Sequence, residues 1–545
     1  MRNDIASCIV RRCTAVAALL TVTIGVRAQG SFREEFDSFA LQVEQSFKSF
    51  RQECNDRYVE FLREAWQEFY AIPATPEPED DMLPPVIYDG GKEENIHKDD
   101  KPYENVVPEE NVVPLPLDVP QPGPIEPVQP VIEKAKPLFD KPVLMVPELD
   151  DPVQDNPVLK EPVLKVPVIE EPIQEEPVVP VRSAFEFMYY GTPVTICADD
   201  ALRFKLRSAA ERDVADMWSR LKGAEYDALL ADCLRIRSEY RLCDWAYLMM
   251  LDSFAKAFMG SGNEAVLLTA YLFSQSGYQT RLGRAGNVLC MLYGCEYTIY
   301  GVCQYSLDGG LFYVLNGNYD NLRIAAGFKF PGEQSLSMEV RDEPLLAADL
   351  SVERHYKSVN KPLEASCSVN MNLLRFFDAY PTSQFGGNVA SRWALYANAP
   401  MDSRTREQLY PALQAAIADK SELEAVGILL DFVQTALEYE YDDVVWGQDR
   451  AFFAEESLHY SGCDCEDRSI LFSRLVRDLL GLDVILVYYP GHLATAVRFS
   501  DTVDGDCIII QQGRFTVCDP TFINAPVGET MPGMDNSKTT VILLR

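Results

Sequence analysis

The 545-residue sequence has few histidines, few basic residues and no long apolar run, three features that often indicate a function. It has only four histidines, 49 basic against 83 acidic residues, and no apolar run long enough to cross a bilayer. The resulting net charge of -34 argues against nucleic acid as a partner, because phosphate binding needs Lys and Arg in excess, and it opposes docking on an anionic membrane. The length and the hydrophobic fraction of 47% are enough for the hydrophobic cores of two or three globular units.

The first residues have the pattern of a signal peptide. Arg2, Arg11 and Arg12 accompany an apolar run over residues 14–26, and Ala28 ends a small-residue cleavage pattern. We therefore predict a signal peptide over residues 1–28, no transmembrane segment, and a periplasmic, cell-surface or secreted mature protein. Two of the fourteen cysteines lie in the predicted signal peptide. The twelve others are too sparse for a disulfide scaffold, and their pairing stays open.

An apolar stripe along residues 32–70 predicts a long amphipathic helix. Its positions step mostly by four, three and four, and two series recur at an interval of eleven: Phe32, Val43 and Cys54, then Phe36, Phe47, Tyr58 and Phe69. Eleven residues make three helical turns, so the stripe stays on one face. We assign residues 29–72 to this helix, which either packs on its own chain or serves self-association or partner binding.

Residues 73–182 have the composition of an acidic spacer. They hold 24 of the 35 prolines and 25 acidic against 9 basic residues, and from Pro137 to Pro177 a proline recurs every fifth residue. Because proline lacks an N–H and fixes φ, helix and central strand are excluded. We expect a disordered, extended segment that reaches on the order of 300 Å. Motifs such as Lys141-Pro142-Val143-Leu144 leave a role as a Pro-motif ligand open.

Globular patterning begins near Ser183. Residues 183–345 mix helical and strand patterns, residues 346–400 are predicted to be a β-rich connection, and residues 401–545 form a second mixed domain. The predicted fold class is therefore α+β, with the helix and the Pro-rich spacer ahead of both domains.

The chemistry of the last domain centres on Cys465. Apolar residues recur at helical spacing after it and stop at Gly481, so Cys465 lies at or just before a helix N-terminus. The free N–H groups and the dipole at that end favour a thiolate, which is the nucleophilic form. Glu466 and Asp467 act in the opposite direction, because nearby negative charge raises the pKa of a thiol. A protonated histidine would offset them.

A histidine and an aspartate follow at the ends of predicted strands. Residues 483–489 have a strand pattern, Pro490-Gly491 forms a turn, and His492 opens the next strand. Two further short strands lead to Asp519. A helix-end Cys, a strand-start His and a strand-end Asp are the parts of a Cys–His–Asp site, in which the His deprotonates the thiol and the Asp fixes the imidazole tautomer. Whether Asp519 lies beside His492 depends on which strands pair.

The order of these elements resembles the transglutaminase-like superfamily, a papain-like thiol fold. The resemblance lies within residues 431–545 and rests on these motifs: Phe432-Val433-Gln434, Tyr439-Glu440-Tyr441, Asp464-Cys465-Glu466-Asp467-Arg468-Ser469, Gly491-His492-Leu493-Ala494 and Val517-Cys518-Asp519-Pro520-Thr521. It implies a helix-borne Cys packed on an antiparallel sheet, with Cys465 as nucleophile, His492 as its base and Asp519 as the orienting residue. Many members place an aromatic residue after the His, where this chain has Leu493.

The resemblance also implies an activity. The thiol would attack a carboxamide or peptide carbonyl to give a thioester, which water hydrolyses or an amine intercepts. The expected partner is a protein or peptide substrate, and no metal or organic cofactor is implied. Gln434 is one candidate oxyanion donor, and the backbone N–H of Cys465 is another. The alternative is a catalytically inactive surface or scaffold protein that uses the same fold to bind protein or glycan.

Each of these residues also has a simpler interpretation. Cys465 would serve as an ordinary buried core residue, or would pair with Cys463 in a metal or redox site. His459 is a second histidine near the thiol, in a predicted loop. Asp519 fits a turn before Pro520 as well as a catalytic role.

Residues 183–345 parallel the last domain in pattern. The helix pattern of residues 264–278 matches that of 467–482, and residues 307–318 match 512–519. At the position of the thiol this region offers Ser261-Gly262-Asn263, and no His follows at the matching place. A degenerate copy of the same core, without thiol chemistry, is one explanation, and shared helix–strand periodicity is the other.

Overall fold

The structure, a computed structural model, describes residues 29–78, 83–89, 102–116, 118, 120–124, 184–447, 449–535 and 538–545, with the backbone alone over 29–44. Within these ranges the protein is a mixed α+β molecule in which helices pack on largely antiparallel sheets, so the predicted α+β class is confirmed. Among the helices of these ranges, none has the length and apolar character needed to cross a bilayer. The predicted signal peptide lies outside the described residues.

The N-terminal part contributes one long helix and three short strands: α1 (Gln29–Leu62), β1 (Gln67–Tyr70), β2 (Glu104–Val106) and β3 (Val112–Val113). Tyr58 and Leu62 of α1 are buried in the main core, so residues 45–62 pack on their own chain. The helix ends before Phe69, which the predicted stripe included. Phe69 lies on β1 instead, because β1 pairs with the strand at residues 321–324.

The middle region consists of a hairpin, four helices and six further strands. In chain order the elements are β4 (Ala184–Tyr189), β5 (Thr192–Cys197), α2 (Glu211–Leu221), α3 (Ala224–Glu239), α4 (Asp244–Met259), α5 (Asn263–Gln275), β6 (Thr280–Ala285), β7 (Val288–Gly294), β8 (Thr298–Ile299), β9 (Gln304–Leu307), β10 (Gly310–Val314) and β11 (Asn321–Ile324). α4 and α5 pack together, and α5 lies on β6 and β7.

Residues 346–400, predicted to be β-rich, hold two helices besides three short strands: β12 (Arg354–Lys357), β13 (Glu364–Cys367), α6 (Met371–Asp378), β14 (Ser383–Gln384) and α7 (Ser391–Asn398). The Asn370 side chain caps α6 by accepting the N–H of Asn372 at 3.2 Å. Leu373, Phe376 and Phe377 then bury one side of this helix. The sequence analysis missed this helix because its eight residues, five of them apolar, are too few to distinguish a helical period from a strand.

The C-terminal domain has these elements: α8 (Ser403–Ile417), α9 (Glu422–Ala436), β15 (Glu438–Tyr439), α10 (Asp442–Val445), α11 (Ala454–His459), β16 (Gly462–Cys463), α12 (Cys465–Leu480), β17 (Asp483–Tyr489), β18 (His492–Arg498), β19 (Cys507–Ile510), β20 (Gly513–Cys518) and β21 (Thr540–Leu543). α12 is the central helix, and it packs on α9, β17 and β18. Gly481 ends it in the left-handed conformation, with φ of 66°, as its position after the apolar run predicts.

The two large sheets share one strand order. In the middle region the order is β9-β10-β7-β6-β11-β1, and in the C-terminal domain it is β19-β20-β18-β17-β21-β3, with β2 outside β19. In each case a buried helix, α5 or α12, immediately precedes the central hairpin and packs on it. A degenerate copy of one core would show this repeated order.

Both edges of the C-terminal sheet are closed by the N-terminal segment. The pentapeptide Glu-Asn-Val-Val-Pro occurs at residues 104–108 and again at 110–114. The first occurrence forms β2 beside β19, the second forms β3 beside β21, and both pair in parallel. The valines suit strand pairing, and the proline ends it because proline has no N–H to donate.

The short link between β2 and β3 requires this sheet to curl. Seven strands laid flat at a spacing of about 4.8 Å would put the two edges about 29 Å apart. The chain from Val106 to Val112 spans at most about 22 Å. The sheet therefore closes toward a barrel. Val107 is buried in the core on one face of the sheet, together with Val487, Ala496, Ile508 and Val517.

Parts of the predicted spacer are therefore folded, which corrects the prediction of a disordered segment over the whole of residues 73–182. Residues 83–89 and 102–116 pair with the C-terminal domain, as the bonds from the Leu83 N–H to the Gly491 carbonyl and from the Val107 N–H to the Ile509 carbonyl show. The proline content was misleading because an edge strand needs hydrogen bonds on only one side. Residues 125–183 lie outside the described residues.

We expect Val107→Asp to destabilise the protein by about 2 to 4 kcal/mol, because it places an unpaired carboxylate in an apolar core. Val106 is the matched control, since it is adjacent in sequence but 70% exposed. Val106→Asp should therefore change the free energy of unfolding by less than about 0.5 kcal/mol. Urea denaturation of the full chain measures both. Equal effects of the two substitutions would contradict the placement of this segment.

Candidate active site

Cys465 is the first residue of α12, and its side chain is fully buried. Its Sγ accepts the N–H of Leu493 at 3.3 Å, and Ser469, one turn further along the helix, donates its hydroxyl to the Leu493 carbonyl at 2.9 Å. Residues four apart lie on the same face of a helix, so one face of α12 holds both polar groups of Leu493. We call this arrangement the Leu493 clamp. It fixes the thiol against the start of β18.

His492 and Asp519 meet because β18 pairs directly with β20, with Thr495 opposite Cys518. His492 Nε2 lies 2.8 Å from Asp519 Oδ2, and both side chains are buried. With the carboxylate as acceptor, Nε2 carries the proton and Nδ1 is left as the basic nitrogen. Nδ1 is buried and has no hydrogen-bond partner among the described residues. Since His492 immediately precedes Leu493, its backbone is adjacent to the residue that contacts the thiol.

The loop after β20 is held by two sets of hydrogen bonds. Asp519 Oδ1 accepts the N–H groups of Thr521 at 2.9 Å and Phe522 at 3.1 Å. The Gln434 side-chain amide donates to the carbonyls of Asp519, Phe522 and Ala525 at 2.9, 2.9 and 3.2 Å. Its N–H groups are therefore engaged by the loop. Gln434 positions Asp519 in this structure, whereas the predicted oxyanion role has no contact that supports it.

The thiol is neutral in this arrangement. Burial raises the pKa of Cys465 well above its usual value, the charges of Glu466 and Asp464 raise it further, and the Leu493 N–H acts in the opposite direction. The S–H donates to Glu466 Oε2 at 3.4 Å. The opposing effect of Glu466 was predicted from the sequence. Burial, the larger cause, depends on the tertiary packing.

Five carboxylates gather near Cys465, and one of them, Glu466, accepts its S–H. They form two groups that share Asp442: one with Asp449 and Glu466, the other with Asp464 and Asp467. In each group one oxygen of each carboxylate lies within 4.8 Å of one oxygen of each of the other two. Burial and then the neighbouring carboxylates raise the pKa values of Asp464, Glu466 and Asp467 well above their usual range.

This cluster has the donor chemistry of a cation site. Asp467 accepts the N–H groups of Phe452 and Asp464, but both carboxylate oxygens of Asp464 and Oε1 of Glu466 lack a hydrogen-bond donor among the described residues. Buried oxygens of this kind suit a hard divalent cation, Ca²⁺ above all, because it takes about six to eight oxygen ligands. The sequence analysis implied no metal. Asp442 and Asp449 lie far from the thiol motif in sequence, so their proximity had no local signal.

The middle region keeps the backbone contact of the Leu493 clamp with a different side chain. Asn263 is the first residue of α5, as Cys465 is of α12. Its Oδ1 accepts the N–H of Leu289 at 2.9 Å, and Leu289 is the second residue of β7 as Leu493 is of β18. In both regions the first residue of the helix therefore accepts the N–H of the second residue in the second strand that follows it. The acceptor is an amide oxygen in the middle region and a thiol sulfur in the C-terminal domain.

The other two positions of the middle region also lack the predicted chemistry. Val288 opens β7 where His492 opens β18, and Asn316 follows β10 where Asp519 follows β20. The Asn316 amide donates to the Leu289 carbonyl at 3.0 Å. A nucleophile and a base are absent from these three described positions, as the sequence comparison of the two regions predicts.

The remaining candidates make contacts with other parts of the chain. His459 ends α11, where burial and then Arg354 lower its pKa. Cys463 lies on β16 and its thiol donates to the Glu438 carbonyl at 3.6 Å, so it faces a different element from Cys465. None of the twelve described cysteines forms a disulfide.

Comparison with known proteins identifies no relative of this chain. No protein-family model matches it, and no curated protein or solved structure matches it either.

We expect millimolar Ca²⁺ to raise the thermal unfolding midpoint of the full chain above its value in a chelator, because a ligand that binds only the folded state stabilises it. The double variant Asp464→Asn, Glu466→Gln should lose this response. In the chelator it should be at least as stable as the wild type, because it no longer crowds buried carboxylates.

The matched control for this pair is Asp501→Asn, at an exposed position outside the cluster. This variant should respond to Ca²⁺ like the wild type. A wild type whose midpoint is the same in Ca²⁺ and in the chelator would show that the cluster binds no Ca²⁺.

Proposed function

We propose that residues 401–545 form a transglutaminase-like thiol enzyme that acts on amide or peptide bonds. The observation that carries the proposal is the buried His492–Asp519 pair, whose unpartnered Nδ1 belongs to the residue next to the Leu493 clamp. A thiol triad requires a nucleophile, a base beside it and a group that fixes the tautomer of the base. Cys465, His492 and Asp519 have these roles.

The reaction proceeds in two halves. Nδ1 of His492 takes the proton of Cys465 Sγ, and the thiolate attacks the carbonyl carbon of the substrate. The C–N bond then breaks, the imidazolium returns its proton to the leaving nitrogen, and a thioester remains on Cys465. Water or an amine attacks the thioester and releases the thiol, giving a carboxylic acid or a new amide. Asp519 stabilises the imidazolium through Nε2–H.

The oxyanion of the tetrahedral intermediate requires donors near Cys465. We assign this role to the first-turn amides of α12, because the N–H groups at a helix N-terminus have no partner within the helix. Gln434 instead has a positioning role, since its amide is held by three carbonyls of the loop after β20.

Substrate access requires an opening of the site. Cys465 and His492 are fully buried and Asp519 is 2% exposed, so a substrate carbonyl reaches the thiol only after neighbouring segments move. We further propose an exported protein with a protein or peptide substrate, on the basis of the N-terminal sequence pattern and the implied amide chemistry.

A second candidate function is a non-catalytic surface or scaffold protein built on the same core. The observation that favours it is the closed site, in which the thiol is neutral and donates to Glu466 rather than to His492. The two functions differ in whether His492 activates the thiol.

The test is site mapping of limiting iodoacetamide labelling on the reduced, folded chain. Cys303 is the internal reference because it is partly exposed, whereas Cys465 is buried. If His492 activates the thiol, His492→Ala should slow the labelling of Cys465 by at least about tenfold while leaving the labelling of Cys303 unchanged. Equal labelling rates of Cys465 in the two proteins would overturn the catalytic proposal.

Activity provides a second measurement. Casein with a fluorescent primary amine distinguishes transfer, seen as incorporation of the amine, from hydrolysis, seen as peptide or ammonia release. Cys465→Ala should abolish either signal, and His492→Ala should lower it by about 10²- to 10⁴-fold. A signal that survives Cys465→Ala would exclude the thioester route.

A further inference from the structure

Residues 83–89, which we call the strap, lie along the backbone that flanks the candidate site. The Val86 carbonyl accepts the N–H of Ile523 at 2.8 Å, and the Tyr88 N–H donates to the Ile523 carbonyl at 2.7 Å. The Leu83 N–H donates to the Gly491 carbonyl at 2.8 Å. We call the backbone groups of Gly491 and Ile523 the acceptor edge. Gly491 lies one residue before His492, and Ile523 lies four residues after Asp519.

The strap is held by its backbone bonds and by two partly buried side chains, Val86 and Tyr88, which pack against the core on one face of the sheet. Its one aromatic contact places the Tyr88 ring edge-on to Phe522, with centroids 5.5 Å apart. Leu83 is 37% exposed and Ile87 is 63% exposed, so neither is buried by the contact. Recognition of this kind is β-strand addition, in which main-chain hydrogen bonds supply the affinity and few side chains matter.

The tripeptide at the centre of the strap recurs in the proline-rich segment. Pro85-Val86-Ile87 is followed by five similar tripeptides: Pro-Val-Ile at 130–132 and 167–169, and Pro-Val-Leu at 142–144, 157–159 and 162–164. All five precede the middle region and lie outside the described residues.

Each recurrence keeps the backbone groups that the strap uses. We count positions from Pro85. The first N–H donor, Leu83, lies two residues before it, the carbonyl acceptor is Val86, and the second N–H donor, Tyr88, lies three residues after it. The donor positions before the five prolines are non-proline residues: Val128, Asp140, Asp155, Lys160 and Lys165. The donor positions after them are too: Glu133, Met145, Lys160, Lys165 and Glu170. All five sequences are therefore able to form the three bonds.

We propose that the acceptor edge binds the Pro-Val-Ile and Pro-Val-Leu segments of a second copy of this chain, and that the strap is its resident occupant within one chain. Each chain has one acceptor edge and five further tripeptides of this kind, so an edge that its strap has left meets five candidate segments on every neighbouring copy. Several weak contacts along one segment would then add up through avidity. The inference does not depend on thiol chemistry at Cys465.

The strap and the repeats differ at several positions, and one of them bears on their relative strength. Tyr88 packs on Phe522, whereas the five repeats place Glu, Met or Lys at the matching position. A single repeat therefore lacks the ring contact, and the tethered strap has the higher effective concentration. The repeats should bind an acceptor edge only when its strap has left.

The first experiment measures binding of a fluorescent peptide with the sequence of residues 165–171 to the full chain. In the strap-free variant, Leu83→Pro and Tyr88→Pro remove both N–H donors by which the strap binds the acceptor edge. We expect saturable binding to the strap-free variant and binding at least about tenfold weaker to the wild type. N-methylation of the peptide at Glu170 removes the second donor and should abolish binding. N-methylation at Ile169, whose N–H lies on the opposite side of the strand, is the matched control and should not.

The second experiment measures assembly of the strap-free chain by sedimentation velocity over a range of concentrations. We expect reversible oligomers. A strap-free chain that also carries Glu133→Pro, Met145→Pro, Lys160→Pro, Lys165→Pro and Glu170→Pro should stay monomeric, because the second donor of every repeat is gone. Circular dichroism checks that both variants are folded.

Two results would overturn the proposal. A folded strap-free chain that also carries the five proline substitutions, so that no repeat competes, and still binds no unmethylated peptide would show that the acceptor edge does not recognise the repeats. A strap-free chain that stays monomeric, and binds the peptide only after the five proline substitutions, would show that its own repeats fill the edge within one chain.

Discussion

The candidate site depends on the position of one residue's backbone, that of Leu493. The Cys465 thiol accepts its N–H and the Ser469 hydroxyl donates to its carbonyl, so α12 is locked to β18 at the residue next to His492. Pairing of β18 with β20 then places Asp519 at the same end of the sheet. Cys465, His492 and Asp519 come from three elements, and a shift of the Leu493 backbone would move the start of β18 relative to the thiol.

The sequence predicted local elements well because their signals are local. The start of α12 at Cys465, the start of β18 at His492 and the end of β20 before Asp519 follow from apolar periodicity and from glycine and proline positions. Strand pairing, the burial of the thiol and the gathering of Asp442 with Asp464 depend on contacts between distant parts of the chain. No single window of sequence contains that information. The proline-rich composition of the N-terminal segment predicted disorder where the two edge strands β2 and β3 form.

Comparison of the middle region with the C-terminal domain distinguishes the contacts that maintain the fold from the residues that the proposed chemistry requires. It has the same strand order and binds the same backbone N–H, yet it does so with Asn263 instead of a cysteine. The backbone contact at the start of the central helix is therefore a structural feature of both regions. The histidine and the aspartate have no structural counterpart of equal chemistry at Val288 and Asn316, which is consistent with a role in the C-terminal domain beyond stability.

The duplicated pentapeptide also constrains the order in which the protein folds. The ribosome makes residues 104–114 about 400 positions before β19 and β21, so the two edge strands wait for their partners until synthesis is nearly complete. Contacts of such separation form slowly, because a long loop must close first. Once one pentapeptide pairs, its short link holds the other beside the opposite edge. The two edges should therefore close together as one cooperative step, and until then the nascent sheet exposes both unpaired edges to aggregation.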